Sequence, residues 1–269
     1  MGLEILRRIV RYIFKGIPER RVYVNVSQVD YNCLLKGKKV IVTGGGSGIG
    51  LAIAKKYSEM GAEVLIVGRN EEKLKRAIEE SGYNMKSYVC DITDFAELEN
   101  DVKKMIENMG GKIDVLVNNA GIWQTNNIFS LEQEMWDRVF DINLKAHYFF
   151  TQYCLGYMHE ESEILFVGSE NANIDCSNPY TLSKCAIHKL VKALAKELIG
   201  RGIRVNGIAP GPTLSEINKT NPENGLQRGE KYRVLLAEEI AEIAAFLVSD
   251  ASKCVSGQIV LCDEGDSLR

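Results

Sequence analysis

Seven short apolar runs, rich in valine and isoleucine, alternate with longer segments of helical periodicity, and no other feature constrains the fold of this chain as tightly. The runs are 39–43, 63–67, 87–90, 115–118, 164–167, 204–208 and 258–261. Their nearly continuous apolar character suits parallel strands covered on both faces rather than strands with one wet side. Between them lie amphipathic stretches, among them 71–80, 95–108, 131–157, 180–199 and 238–248. Parallel neighbours need long crossover connections, and these are right-handed. The pattern therefore predicts an α/β chain: a doubly wound parallel sheet of about seven strands with helices on both faces.

The alternation occupies residues 37–269, predicted as a single domain. A length of 269 residues buries a substantial core without disulfides or metals. The segment 210–233 breaks the rhythm with proline, glycine, asparagine and lysine, and reads as an excursion over the carboxyl ends of the strands. Residues 1–36 stand apart as an extension. Leu6, Ile9, Val10, Ile13, Phe14 and Ile17 form one apolar stripe, with Arg7, Arg8, Arg11 and Lys15 off it, so a basic amphipathic helix is expected. It would dock on its own domain or a partner subunit, or lie on an anionic membrane surface. The strict alternation of 21–27 suggests an extended segment after it.

A net charge of −3 gives no reason to expect nucleic acid. The seven scattered cysteines lack a C-x-x-C pair and read as small buried residues in a reducing compartment, with no metal site. Without a span-length apolar stretch or a signal-peptide pattern, the chain is expected in the cytoplasm, with the basic helix offering a peripheral membrane contact.

Chemistry concentrates in two places. The run Thr43-Gly44-Gly45-Gly46-Ser47-Gly48-Ile49-Gly50 follows the first strand and opens a helix. In that context glycines let a pyrophosphate approach the backbone, where the N–H groups and dipole of a helix N-terminus receive it, as in the Rossmann fold. Downstream, Tyr180 and Lys184 are four residues apart, so on a helix they share a face. A free phenol titrates near pH 10, and a neighbouring cation favours its ionised form. The glycine turn with the Tyr/Lys pair points to redox chemistry on a carbonyl or alcohol.

These motifs make the chain resemble the short-chain dehydrogenase/reductase family, in the subgroup of 3-oxoacyl-carrier-protein reductases and sugar dehydrogenases. Besides the glycine turn, Asn118-Asn119-Ala120-Gly121 matches the family's N-N-A-G, Asn143 its helix-borne asparagine, Tyr180 and Lys184 its Y-x-x-x-K, and Pro210-Gly211-Pro212 the loop beside the nicotinamide. The resemblance implies that Tyr180 exchanges a proton with the substrate oxygen and that Lys184 lowers its pKa. It further implies that Ser169 holds the carbonyl and that Asn143 anchors a water. Ser169 stands two residues closer to the tyrosine than in many family members, and Glu170 fills a position the family usually gives to something small.

The resemblance also assigns the cofactor-binding set: Thr43, Gly44, Gly46, Ser47, Gly48, Ile49, Gly50, Asp91, Ile92, Asn119, Ala120, Gly121, Tyr180, Lys184, Pro210, Gly211 and Thr213. Cofactor choice turns on the end of the second strand. Gly68 fills the slot where an acidic residue selects NAD, and Arg69 follows, so NADP(H) is favoured over NAD(H). Asp91 is read as an adenine contact, or else as a cap for the following helix. Loop residues near the inferred cleft, Glu170, Asn171, Asn173 and Asp175 with Trp123 and Gln124, offer several hydrogen-bonding groups and suggest a hydroxylated, sugar-like substrate more than a long acyl thioester. A low-turnover nucleotide-binding sensor or scaffold is the competing reading. The resemblance further implies a homo-oligomer, dimer or tetramer, with Phe149, Phe150, Tyr153, Ile187 and Leu190 expected on outer helix faces.

Overall fold

The computed structural model describes residues 33–124, 128–174, 177–214 and 234–268. The expectations for the extension up to residue 32, for Asp175 and Cys176, and for most of the 210–233 excursion lie outside the described residues. The elements run β1 (Lys39–Thr43), α1 (Gly48–Glu59), β2 (Glu63–Gly68), α2 (Glu71–Ser81), β3 (Lys86–Val89), α3 (Leu98–Asn108) and β4 (Val115–Asn118). Next come α4 (Gln133–Phe140), a π-helical turn (Asp141–Lys145), α5 (Ala146–Cys154), β5 (Glu163–Val167), α6 (Asn171–Ile174) and α7 (Pro179–Leu198). The chain closes with β6 (Arg204–Pro210), α8 (Ala237–Leu247) and β7 (Ile259–Cys262).

All seven strands pair in parallel in the order β3-β2-β1-β4-β5-β6-β7. The order reverses between β1 and β4, the place where such sheets open a crevice at their carboxyl ends. Side chains leave a strand alternately to its two faces. Val40 and Val42 of β1 accordingly join Val64, Ile66, Val115 and Val117 in one core with α1 and α8, closed by Tyr57, Ile240 and Ala244. Ile41, Leu65, Val67 and Leu116 face the other way, onto Val102 and Ile106 of α3, Phe150 of α5 and Val191 of α7. Two covered faces account for the uninterrupted apolar sequence of the inner strands, whereas the edge strand β3 is exposed at Lys86, Ser87 and Val89.

Local chemistry sets several ends. Asn70 caps α2 by accepting from the Lys73 N–H at 2.8 Å, and Gly82 ends that helix in the left-handed region at φ 72°. Asn178 and Thr181 form a reciprocal box at the start of α7, with Pro179 inside it. That cap fixes where α7 begins, and therefore which way Tyr180 and Lys184 point.

Three details differ from the sequence expectations. The stretch predicted as one helix over 131–157 is broken by the π-helical turn around Asn143. Phe150 and Ile187, expected on outer faces, are fully buried, while Tyr148 is the exposed aromatic of α5; helical periodicity shows that a face is apolar but not which way it turns. Cys185 is disulfide-bonded, against the expectation of free thiols, because cysteine spacing carries no record of pairings made by the fold. Among the described residues, no helix is long and apolar enough to cross a membrane.

Candidate active site

The carboxyl ends of β1 and β4 are tied together before any ligand is considered. Thr43 Oγ1 accepts from the Asn119 N–H at 3.0 Å and the Ala120 N–H at 3.2 Å, and donates to the Val117 carbonyl. The Asn119 amide donates back to the carbonyls of Thr43 and Gly44. This knot explains two glycines of the turn. Gly44 has φ +67°, and a Cβ there would lie 2.9 Å from Ala120 Cα; one on Gly50 would lie 2.4 Å from Asn119 Nδ2 and 2.5 Å from the Gly44 carbonyl oxygen. Gly50→Ala is expected to destabilise the fold by about 1–3 kcal/mol through overpacking. Urea unfolding checks this, and an unchanged midpoint would refute the packing argument.

At the start of α1, Ser47 occupies the cap position without donating or accepting a capping bond, and no acidic residue stands in the first turn. The first N–H groups of a helix have no partners within it, and here none comes from a capping side chain. Such a terminus accepts an anion.

From the glycine turn, one cleft of about 910 Å³ runs past Arg69, Asp91 and Ile92 to Ser169, Tyr180, Lys184 and the Pro210–Thr213 loop. It gathers all but two of the residues predicted for cofactor and chemistry. Thr43 and Asn143 do not line it; both are wholly buried behind it, where their side chains hold backbone in place. Lys73, on the first turn of α2 beside Arg69, also lines the cleft and was missed by the sequence reading; a lysine one turn into a helix carries no motif. The uncapped helix end, the glycine turn and the cleft's length fit a dinucleotide, and the group such a cofactor brings is a hydride donor or acceptor.

At the adenosine end, the Arg69 guanidinium lies 3.9 Å from Asp91 Oδ2, with more than half of its side chain exposed. Asp91 Oδ1 accepts from the Thr93 N–H and hydroxyl, a local turn rather than a cap, since the next helix begins at Leu98. Partial burial works to raise the Asp91 carboxyl, but the Thr93 hydrogen bonds and Arg69 together hold it below its usual range.

At the other end, β5 delivers Ser169 and α7 delivers Tyr180 and Lys184. Ser169 lines the cleft with Tyr180, and its hydroxyl accepts from the Asn171 N–H at 3.3 Å. The Lys184 ammonium donates to the Val167 carbonyl at 2.8 Å and lies 5.9 Å from the Tyr180 ring centroid. Asn143 sits in the π-helical turn. Its amide pairs with both backbone groups of Ile122, accepting at 2.9 Å and donating at 3.0 Å, and reaches Ser183 Oγ at 3.3 Å. The turn thus fastens the loop after β4 to α7, a use consistent with the frequent placement of such bulges at functional sites.

Burial dominates the electrostatics here. It pushes the Tyr180 phenol above its ordinary value; the nearby Ser169 side chain opposes that and the Glu170 charge adds to it. The net direction is opposite to the lowering expected from Lys184, whose charge is held at the Val167 carbonyl. Burial also brings the Lys184 ammonium down to about 8.

Comparison with known proteins agrees with this geometry. Residues 44–267 match the family described as enoyl-(acyl carrier protein) reductase. The chain is 34% identical over 242 residues to the 3-oxoacyl-acyl-carrier-protein reductase FabG of Thermotoga maritima, covering 86% of this chain and 98% of that protein. A short-chain dehydrogenase from Burkholderia cenocepacia, solved in complex with NADP, superposes with TM-score 0.78 at 28% identity, over 87% of this chain and 99% of that one. The 3-ketoacyl-(acyl-carrier-protein) reductase of Brucella melitensis, complexed with NADH, has the same TM-score at 30% identity and the same coverage.

Proposed function

The chain belongs to the short-chain dehydrogenase/reductase family, and from that premise we propose that it interconverts a neutral, polar ketone and its secondary alcohol with NADP(H), using Tyr180 as the proton donor and acceptor. The class is an oxidoreductase acting on CH–OH with NAD(P). The observation that carries the finer reading is the convergence of Ser169, Tyr180 and Lys184 in the same cleft as the open helix N-terminus.

Each residue then has a physical task. Charge builds on a carbonyl oxygen as it is reduced, and a positioned donor stabilises that charge. A phenol held protonated by burial is suited to donate, and Ser169 supplies a second hydroxyl on the same oxygen. Lys184 brings a positive charge into a water-poor cleft, where it acts more strongly than in solvent. Asn143 keeps the loop around Ile122 in register with α7. A nucleotide-binding sensor has no use for the Tyr/Ser/Lys constellation, which favours turnover over pure binding.

Two features bear on the substrate. The relative from Thermotoga maritima is named for a 3-oxoacyl group on a carrier protein, which supports a thioester. Against that stand two polar residues of the cleft beside Ser169, Glu170 and Asn171. Following NADPH oxidation with acetoacetyl thioesters, ketoses and simple cyclic ketones separates the two. A kcat/KM for the thioester far above that of every hydroxylated ketone would overturn the preference.

Arg69 supports NADP(H), because an exposed guanidinium at the end of β2 suits a 2′-phosphate. Arg69→Ala is expected to raise the KM for NADPH about tenfold, the worth of one charge-assisted hydrogen bond of roughly 1.5 kcal/mol, and to leave that for NADH nearly unchanged. Equal losses with both cofactors would remove Arg69 from cofactor selection.

A further inference from the structure

Glu170 has no evident place in the chemistry just described, yet it stands next to it. The residue follows Ser169, lines the same cleft, and is only 3% exposed. Its backbone is fixed at both ends: the N–H donates to the Pro210 carbonyl at 3.1 Å and the carbonyl accepts from the Asn173 N–H at 2.8 Å. Its Oε2 is buried without a hydrogen-bond partner. A buried, unpaired carboxyl oxygen is costly and rare in folded proteins, so its retention calls for a reason.

The surroundings narrow that reason. Oε2 faces Gly211 so closely that a Cβ there would lie 2.8 Å away. Beyond Gly211 lies the turn after β7, and the charges that act on Glu170 are the negative ones of Asp266 and Asp263. Asp263 cannot turn to relieve it, because its carboxylate already accepts from the N–H groups of Gly265 and Ser267 and from the Ser267 hydroxyl. Burial, with those two carboxylates behind it, pushes the Glu170 carboxyl up to about 7. Near neutral pH it is therefore able to donate or to accept a hydrogen bond, and a hydroxyl complements either form.

We infer that Glu170 is a specificity-determining residue, whose carboxyl takes a hydroxyl of a neutral substrate close to the reacting carbonyl and, with Asp263 and Asp266, repels substrates bearing a carboxylate there. The inference rests on the proposed ketone-reducing site and names its substrate class. Sites built around a buried polar group discriminate strongly against an analogue that leaves the group unpaired. An apolar or anionic substrate would do so here.

The test uses the full chain with NADPH and three cyclic ketones: 2-hydroxycyclohexanone, cyclohexanone and 3-oxocyclohexanecarboxylate. Wild-type kcat/KM is expected to favour the hydroxy ketone over cyclohexanone by about tenfold or more, with the carboxylate poorest. Glu170→Ala should bring the first ratio to within about twofold and raise relative activity on the carboxylate, while Glu170→Gln should keep part of the hydroxyl preference. A purely structural role would lower all three ketones together and leave the ratios alone, which would overturn the assignment. Calorimetric binding of the same ketones to the NADPH complex provides a readout without turnover. If none is reduced, the proposed reaction fails, and the binding ratios of wild type and variants still decide the role of Glu170. Thermal unfolding of each variant distinguishes lost specificity from lost fold.

Discussion

Tyr180→Phe is expected to lower kcat for ketone reduction by about 10²- to 10⁴-fold, the usual worth of a positioned general acid, while NADPH binds as before. The ring that lines the cleft stays, and only its hydroxyl is lost. What goes with it is the donor placed to meet charge growing on the substrate oxygen. Single-turnover kinetics with cofactor titration by fluorescence measures both quantities. Retention of a tenth or more of wild-type kcat would show that another group moves the proton, and a parallel loss of NADPH affinity would show that the hydroxyl serves the cofactor instead. The pH dependence follows from the neighbouring lysine. Lys184 is charged below about 8 and loses its proton above it, so wild-type reduction should decline as pH rises through that value. The Tyr180 phenol, held above its ordinary value, stays protonated through the same range.

The second large effect concerns stability and lies far from the cleft. Arg204 and Glu163 pair across β6 and β5 at their amino ends, in register and almost fully buried. The guanidinium also donates to the carbonyls of Leu247, Ser249, Ser252 and Val255, fastening the turn after α8 to the sheet. Burial pushes the Glu163 carboxyl up and Arg204 opposes that; neither group would be tolerated there alone. Arg204→Leu leaves a buried carboxyl and several carbonyls unpaired. A loss of about 3–5 kcal/mol is expected, a large share of the roughly 5–15 kcal/mol that holds a typical fold. Calorimetry should show the melting temperature falling by on the order of 10 °C. A shift of only a degree or two would mean that water or relaxation satisfies the pair's partners. Glu163→Gln should be milder, since its amide oxygen still accepts from Arg204.

Much of this architecture is legible in the chain. The seven apolar runs fall on the seven strands to within one or two residues, and for the inner strands the reason is that a strand buried on both faces must be apolar throughout its own length. The glycine turn, the Asn119–Gly121 segment and the Tyr180/Lys184 pair could be read for the same reason: their spacing is the local geometry of a turn and a helix. Asn143 and Thr43 show where that reading stops. Both stand at motif positions, but only the packed structure shows that one clamps Ile122 from a π-helical turn and the other ties β1 to β4.

Sequence alone therefore determined the order of strands and helices, the family and the neighbourhood of the chemistry, all of which depend on residues close together along the chain. Tertiary structure decided that the Tyr180 phenol is raised rather than lowered, that Arg204 has a buried counter-ion, and that Glu170 faces two acids across Gly211 without a partner. Those outcomes depend on desolvation and on charges contributed by segments far apart in sequence, such as β5 and the turn after β7. How much water a group loses, and what it meets in return, is set only when those segments pack.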